Sequence, residues 1–122
     1  MTPRLALVED NADNRLLVHA LLDDRYAVTD YETGAAALAG IAASRPDHVL
    51  LDVSLPELDG TEVLRRLRAD PALGGLPVVA LTAHAMAGDR EKYIALGFDD
   101  YVAKPIVDEQ LLFDAIARHL GG

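Results

Sequence analysis

Five short apolar runs punctuate this chain, and a stretch of helical character follows each. The runs are Leu5-Ala6-Leu7-Val8, Tyr26-Ala27-Val28-Thr29, His48-Val49-Leu50-Leu51-Asp52, Leu76-Pro77-Val78-Val79-Ala80-Leu81 and Asp100-Tyr101-Val102-Ala103. They are too short for helices and end in turn or charged residues, as buried strands do. Asn11 is the expected N-cap of a first helix, with Asp13 in its first turn, running to about Asp24 on a Leu17, Val18 and Leu21 face. A second opens at Thr33-Gly34, offers Ala36, Leu38, Ile41 and Ala42 for packing, and ends at Arg45-Pro46. A third spans about Thr61 to Ala69, with Val63, Leu64 and Leu67 inward, Arg65, Arg66 and Arg68 on a solvated face, and Asp70-Pro71 as its stop. A fourth runs from about Asp89 to Leu96 with Gly97 as C-cap. The last runs from about Asp108 to Leu120 on a stripe of Leu111, Leu112, Ile116 and Leu120.

Strict alternation with short connections implies a parallel sheet with helices on both faces. Right-handed crossovers make it doubly wound, a flavodoxin-like (βα)5 fold with strand order 2-1-3-4-5. At 122 residues, 51% hydrophobic and 25% charged, the chain suits one domain over 1–122 with a substantial core. No apolar run approaches the ~20 residues of a membrane helix, and Met1-Thr2-Pro3-Arg4 does not open a signal peptide. The expected location is cytoplasmic, without membrane insertion. The absence of cysteine excludes disulfides, thiolate metal sites and cysteine nucleophiles. A net charge of −9 repels phosphate backbones, so no direct nucleic-acid binding is expected.

All strand C-terminal ends of such a sheet lie at one edge. Glu9-Asp10 end the first strand, Asp52 the third, Thr82 the fourth, and Lys104 follows the fifth. These strands are successive neighbours in the expected order, and ligands bind at that edge where the winding reverses. Three carboxylates so placed repel one another unless a cation joins them, and hard divalent cations such as Mg²⁺ take oxygen ligands. Lys104 is a point charge suited to a phosphate oxygen, and the Thr82 hydroxyl can donate to another. Asp52 is then a carboxylate nucleophile in a site built for phosphoryl transfer. Each residue alone is ordinary; their joint placement is not.

Val8-Glu9-Asp10, Leu51-Asp52-Val53-Ser54-Leu55-Pro56-Glu57-Leu58-Asp59-Gly60, Leu81-Thr82-Ala83 and Tyr101-Val102-Ala103-Lys104-Pro105 resemble, in this order, the receiver domains of bacterial two-component signalling. The resemblance covers essentially the whole chain. Thr82-Ala83-His84-Ala85-Met86 and Gly88-Asp89-Arg90-Glu91-Lys92 are most similar to stand-alone phosphorelay receivers and receivers of hybrid kinases. The resemblance implies that Asp52 accepts a phosphoryl group from a histidine kinase or histidine phosphotransfer protein. It implies Mg²⁺, with Mn²⁺ as the alternative, on Asp10, Asp52 and the Ser54 carbonyl, and Glu9 acting through a metal-bound water. Lys104, Thr82 and the N–H groups of Val53 and Ala83 would hold phosphoryl oxygens. Thr82 and Tyr101 would couple phosphorylation to the fourth helix, fifth strand and fifth helix, and so to a downstream protein target. Ser54 and His84 would tune phosphoryl lifetime. Such a chain turns over no external substrate and is expected as a monomer or weak homodimer. A Met1 start is expected of a free-standing protein, the alternative being a receiver cut from a hybrid kinase.

Leu16 lies about 150° from the Leu17/Val18/Leu21 face by helical geometry, which leaves it exposed near the active edge. With Asn14 and Arg15 it is a candidate docking patch for the histidine-bearing partner. Two rival functions fit less well. An aspartyl-phosphate phosphatase wants a second acid two residues after its nucleophile, where this chain has Ser54. A flavin carrier wants a Ser/Thr/Gly-rich phosphate loop after the first strand, where Glu9-Asp10-Asn11 would repel phosphate. A receiver that signals without phosphorylation finds no support in an intact constellation.

Overall fold

A computed structural model describes residues 2–55, 57–82, 89–104 and 109–119. Its elements alternate as β1 (Arg4–Val8), α1 (Ala12–Leu22), β2 (Ala27–Tyr31), α2 (Gly34–Ala43), β3 (His48–Asp52), α3 (Gly60–Ala69), β4 (Val78–Thr82), α4 (Asp89–Leu96), β5 (Asp100–Ala103) and α5 (Glu109–His119). The strands form one parallel sheet in the order β2-β1-β3-β4-β5, as expected from the alternation. Val8 pairs with Leu51, Asp52 with Leu81, and Thr82 with Ala103, so the strand ends reach one edge together.

Pleating sends successive side chains to opposite faces of the sheet. Ala6, Val8, Val49, Leu51, Val78 and Ala80 face one way, onto Ala37 and Ile41 of α2, Val63, Leu64 and Leu67 of α3, and Tyr93 of α4. Leu5, Leu7, Leu50, Val79, Leu81 and Val102 face the other, onto Val18 and Leu22 of α1 and Leu112, Ala115 and Ile116 of α5. Burial on both faces is why β3 and β4 read as continuous apolar runs. Asn11 Oδ1 accepts from the Asn14 N–H at 3.1 Å and caps α1 as expected. Gly97, at φ +112°, follows α4 in the left-handed region. Among the described residues, no helix is long and apolar enough to cross a membrane.

Several helix faces differ from the sequence reading. In α2 the buried residues are Gly34, Ala37 and Ile41, with Leu38 half-buried, whereas Ala36 and Ala42 are exposed. A helix of Ala and Gly carries almost no polar contrast to mark its face. In α1, Leu22 joins Val18 in the core while Leu17 and Leu21 are half-buried. Leu111 is 58% exposed, because α5 packs through Leu112, Ala115 and Ile116 instead. Leu120, also expected on that stripe, lies outside the described residues. Arg68 is not on a solvated face. It donates to the carbonyls of Gly74 (2.9 Å), Leu76 (2.5 Å) and Gly97 (2.8 Å), and pairs with Asp99 at 3.0 Å.

Candidate functional site

The end of β1 delivers Glu9, whose backbone N–H continues the sheet to the Tyr31 carbonyl at 3.0 Å. Its side chain is fully buried and meets Lys104 Nζ at 3.0 Å. The same ammonium lies 3.1 Å from Asp52 Oδ2, and Asp52 is only 2% exposed. Asp10 sits exposed at the rim. Carboxylate oxygens of Glu9, Asp10 and Asp52 all lie within 4.8 Å of one another. The four charged residues singled out from the sequence therefore meet, drawn from three strand ends.

Their electrostatics follow from that crowding. Burial, then the hydrogen bond and charge of neighbouring Asp52, push the Glu9 carboxyl up to about 7, against the pull of Lys104 and the Asn11 N–H. Burial works against the Lys104 charge, but hydrogen bonds to Glu9 and Asp52 outweigh it and hold the ammonium above the ordinary lysine range. An all-oxygen donor set with excess negative charge is the chemistry that hard divalent cations take. The residues present thus fit such an ion.

Local backbone fixes Asp52. Its Oδ1 accepts the Ser54 N–H at 2.9 Å, an Asx-type turn at the strand end. The Val53 N–H was expected to face a phosphoryl oxygen; instead it donates to the Leu81 carbonyl at 3.0 Å, because the β3–β4 ladder extends one residue beyond Asp52. Ser54 supplies the N–H beside the carboxylate. Gly60 closes the loop, its N–H bonding the Val53 carbonyl at 3.0 Å, and a Cβ there would lie 2.2 Å from the Asp52 carbonyl oxygen. Asp59 caps α3 by accepting from Thr61 and Glu62, and the Thr61 hydroxyl in particular holds its carboxyl below the ordinary range. An Asp-Gly pair at a helix start carries that signal in the sequence. Ala83, His84, Met86, Pro56 and Pro105, each given a place in that reading, lie outside the described residues.

Thr82 is buried at the end of β4, and its carbonyl accepts the Lys104 N–H at 2.8 Å. Its hydroxyl lies 2.9 Å from the Tyr93 hydroxyl. Tyr101 is half-buried, its ring 6.0 Å from that of Tyr93. Tyr93 escaped the sequence reading: no spacing rule links a tyrosine in the middle of a helix to a threonine at a strand end. Around α1, Leu16 is 69% exposed as expected, and Asn14 is half-buried. Arg15 is half-buried. Its Nη1 donates to the Glu9 carbonyl at 3.0 Å and its Nε lies 3.5 Å from Asp30, which ties α1 to the strand ends.

A family model described as the response regulator receiver domain matches residues 5–117. The sensor protein GacS of Pseudomonas syringae pv. syringae is 44% identical over 113 residues, 89% of this chain and 12% of that protein. The response regulator PleD of Caulobacter vibrioides is 40% identical over 114 residues, 93% of this chain and 25% of that protein. The chain thus spans a small part of these curated relatives. Among solved structures, the receiver domain of the sensor histidine kinase PA1611 from Pseudomonas aeruginosa PAO1 was crystallised with a magnesium ion coordinated in its active-site cleft. It superposes with a TM-score of 0.89 at 36% identity, covering 100% of both chains. The chain belongs to the response regulator receiver domain family. It is a module of phosphorelay signal transduction.

Proposed function

We propose that Asp52 accepts a phosphoryl group from the phosphohistidine of a histidine kinase or histidine phosphotransfer protein. A carboxylate oxygen attacks phosphorus, the P–N bond breaks, and the departing imidazole takes a proton from solvent. The observation that carries this reading is the buried Asp52 carboxylate, 3.1 Å from Lys104 and clustered with Glu9 and Asp10. Lys104 would exchange its contact with Asp52 for one with a phosphoryl oxygen, Thr82 would turn its hydroxyl to donate to another, and the Ser54 N–H would fix the carboxylate. Asp10, Asp52 and the Ser54 carbonyl, with Glu9 through water, would hold Mg²⁺ or Mn²⁺. The bound ion would neutralise charge on the phosphoryl oxygens. Thr82 and Tyr101 carry the change to the α4-β5-α5 surface, and a downstream protein reads it. Leu16 and Asn14, with Arg15 bracing the loop beneath, form part of the face that receives the donor.

Incubation with acetyl phosphate and Mg²⁺ followed by intact mass tests the reading. Wild type should gain one phosphoryl mass, and Asp52→Asn should gain none. A wild type without adduct would refute it.

A further inference from the structure

The pleat divides the site into two groups. Asp52 follows Leu50 onto the α1/α5 side of the sheet, where Lys104 and Glu9 meet it. Thr82 follows Val78 and Ala80 onto the opposite side, which packs α4. There its hydroxyl lies 2.9 Å from the Tyr93 hydroxyl, in a pair almost sealed from solvent. The Tyr93 ring stands edge-on to Phe98 at 84° and 6.0 Å, and tilted 40° to Tyr101 at 6.0 Å. A residue needed only for packing here could be phenylalanine. A buried phenol needs a polar partner, and this one meets the hydroxyl that a phosphoryl group would recruit.

Resting on the phosphoacceptor reading of Asp52, we propose that Tyr93 is a positioning residue that latches Thr82 in the resting state. Its hydroxyl holds that of Thr82 turned toward α4. Delivering Thr82 to a phosphoryl group on Asp52 breaks this bond and frees the Tyr93 ring to repack against Tyr101. Tyr93 is then a link between the site and the partly exposed Tyr101, and its hydrogen bond to Thr82 weighs against switching.

Beryllium fluoride with Mg²⁺ mimics an aspartyl phosphate, and its affinity for the full chain can be read by titration of ¹⁵N-labelled protein. Tyr93→Phe keeps the ring and removes the latch, so it should bind roughly three- to tenfold more tightly than wild type, the worth of a neutral hydrogen bond. In a Thr82→Ala background the same change should have no effect on affinity. Tyr93→Phe binding no more tightly than wild type, or tightening equally without the Thr82 hydroxyl, would overturn the latch while leaving Asp52 as acceptor. A wild type that binds no beryllium fluoride would remove the acceptor reading and the latch together.

Discussion

Glu9 holds its proton longer than an ordinary carboxyl, and the sign of the consequence can be worked out. Its folded value of about 7 lies above the 4.5 of an ordinary glutamate, so between those pH values the folded domain binds more protons than the unfolded chain. Stability therefore falls as pH rises through that window. Lys104, with its value raised, stays charged throughout it and contributes no opposing slope. Urea unfolding of the metal-free domain should show stability declining from about pH 5 to about pH 8, and Glu9→Gln should flatten the decline. An equal decline in Glu9→Gln would place the titration elsewhere. Added Mg²⁺ should raise the melting temperature more at the upper end of this range, because protons compete for the same oxygens. Gly60 acts by what it lacks. A Cβ there would meet the Asp52 carbonyl oxygen at 2.2 Å and Val53 Cα at 2.7 Å, both backbone atoms that cannot rotate away. Gly60→Ala should cost about 1–3 kcal/mol in unfolding free energy. It should also slow phosphorylation by acetyl phosphate while the protein remains folded, because Asp52 itself is displaced.

Among the elements, α3 shows two arginines of the same turn doing unlike work. Exposed Arg65 pairs with half-buried Glu62, whereas Arg68 joins the end of α3 to three carbonyls of the following loops and to Asp99. Arg68→Ala should lower unfolding free energy by about 2–4 kcal/mol, and Arg65→Ala by less than about 1 kcal/mol. Equal losses in urea unfolding would contradict this assignment. The sequence could not separate the pair, because both sit on the polar side of the helix and the acceptors of Arg68 are backbone atoms of later loops. Strands were legible for the opposite reason: burial on both faces leaves an unbroken apolar run such as His48 to Asp52. Asp52, Glu9, Asp10 and Lys104 were legible because sheet topology alone brings strand ends together. The bond from the Val53 N–H to the Leu81 carbonyl was not legible, because ladder register, one residue more or less, is not written in composition. Tyr93 was missed because its role depends on which way α4 turns over β4.

At the scale of the molecule, a chain of net charge −9 presents an exposed leucine beside its acidic edge. Leu16 stands 69% exposed one turn into α1, and its neighbour Arg15 donates to the Glu9 carbonyl, which ties α1 to the loop that carries the site. A phosphohistidine donor must bring its phosphorus within bonding distance of a carboxylate oxygen on a residue that is 2% exposed, with the imidazole in line behind it, which demands an oriented complex. A small donor such as acetyl phosphate needs no such complex. The ratio of the two rates therefore isolates docking from chemistry. Leu16→Glu would set a charge against an apolar partner surface, and transfer from the cognate phosphorylated donor domain should slow about tenfold or more, the equivalent of about 1.4 kcal/mol. The acetyl phosphate rate provides the internal reference, so the ratio should fall by that same factor. Leu16→Ala should fall between the two, since it removes apolar area without adding charge. Equal slowing with both donors would assign Leu16 to the chemistry or to folding, and no slowing with either would remove it from the contact.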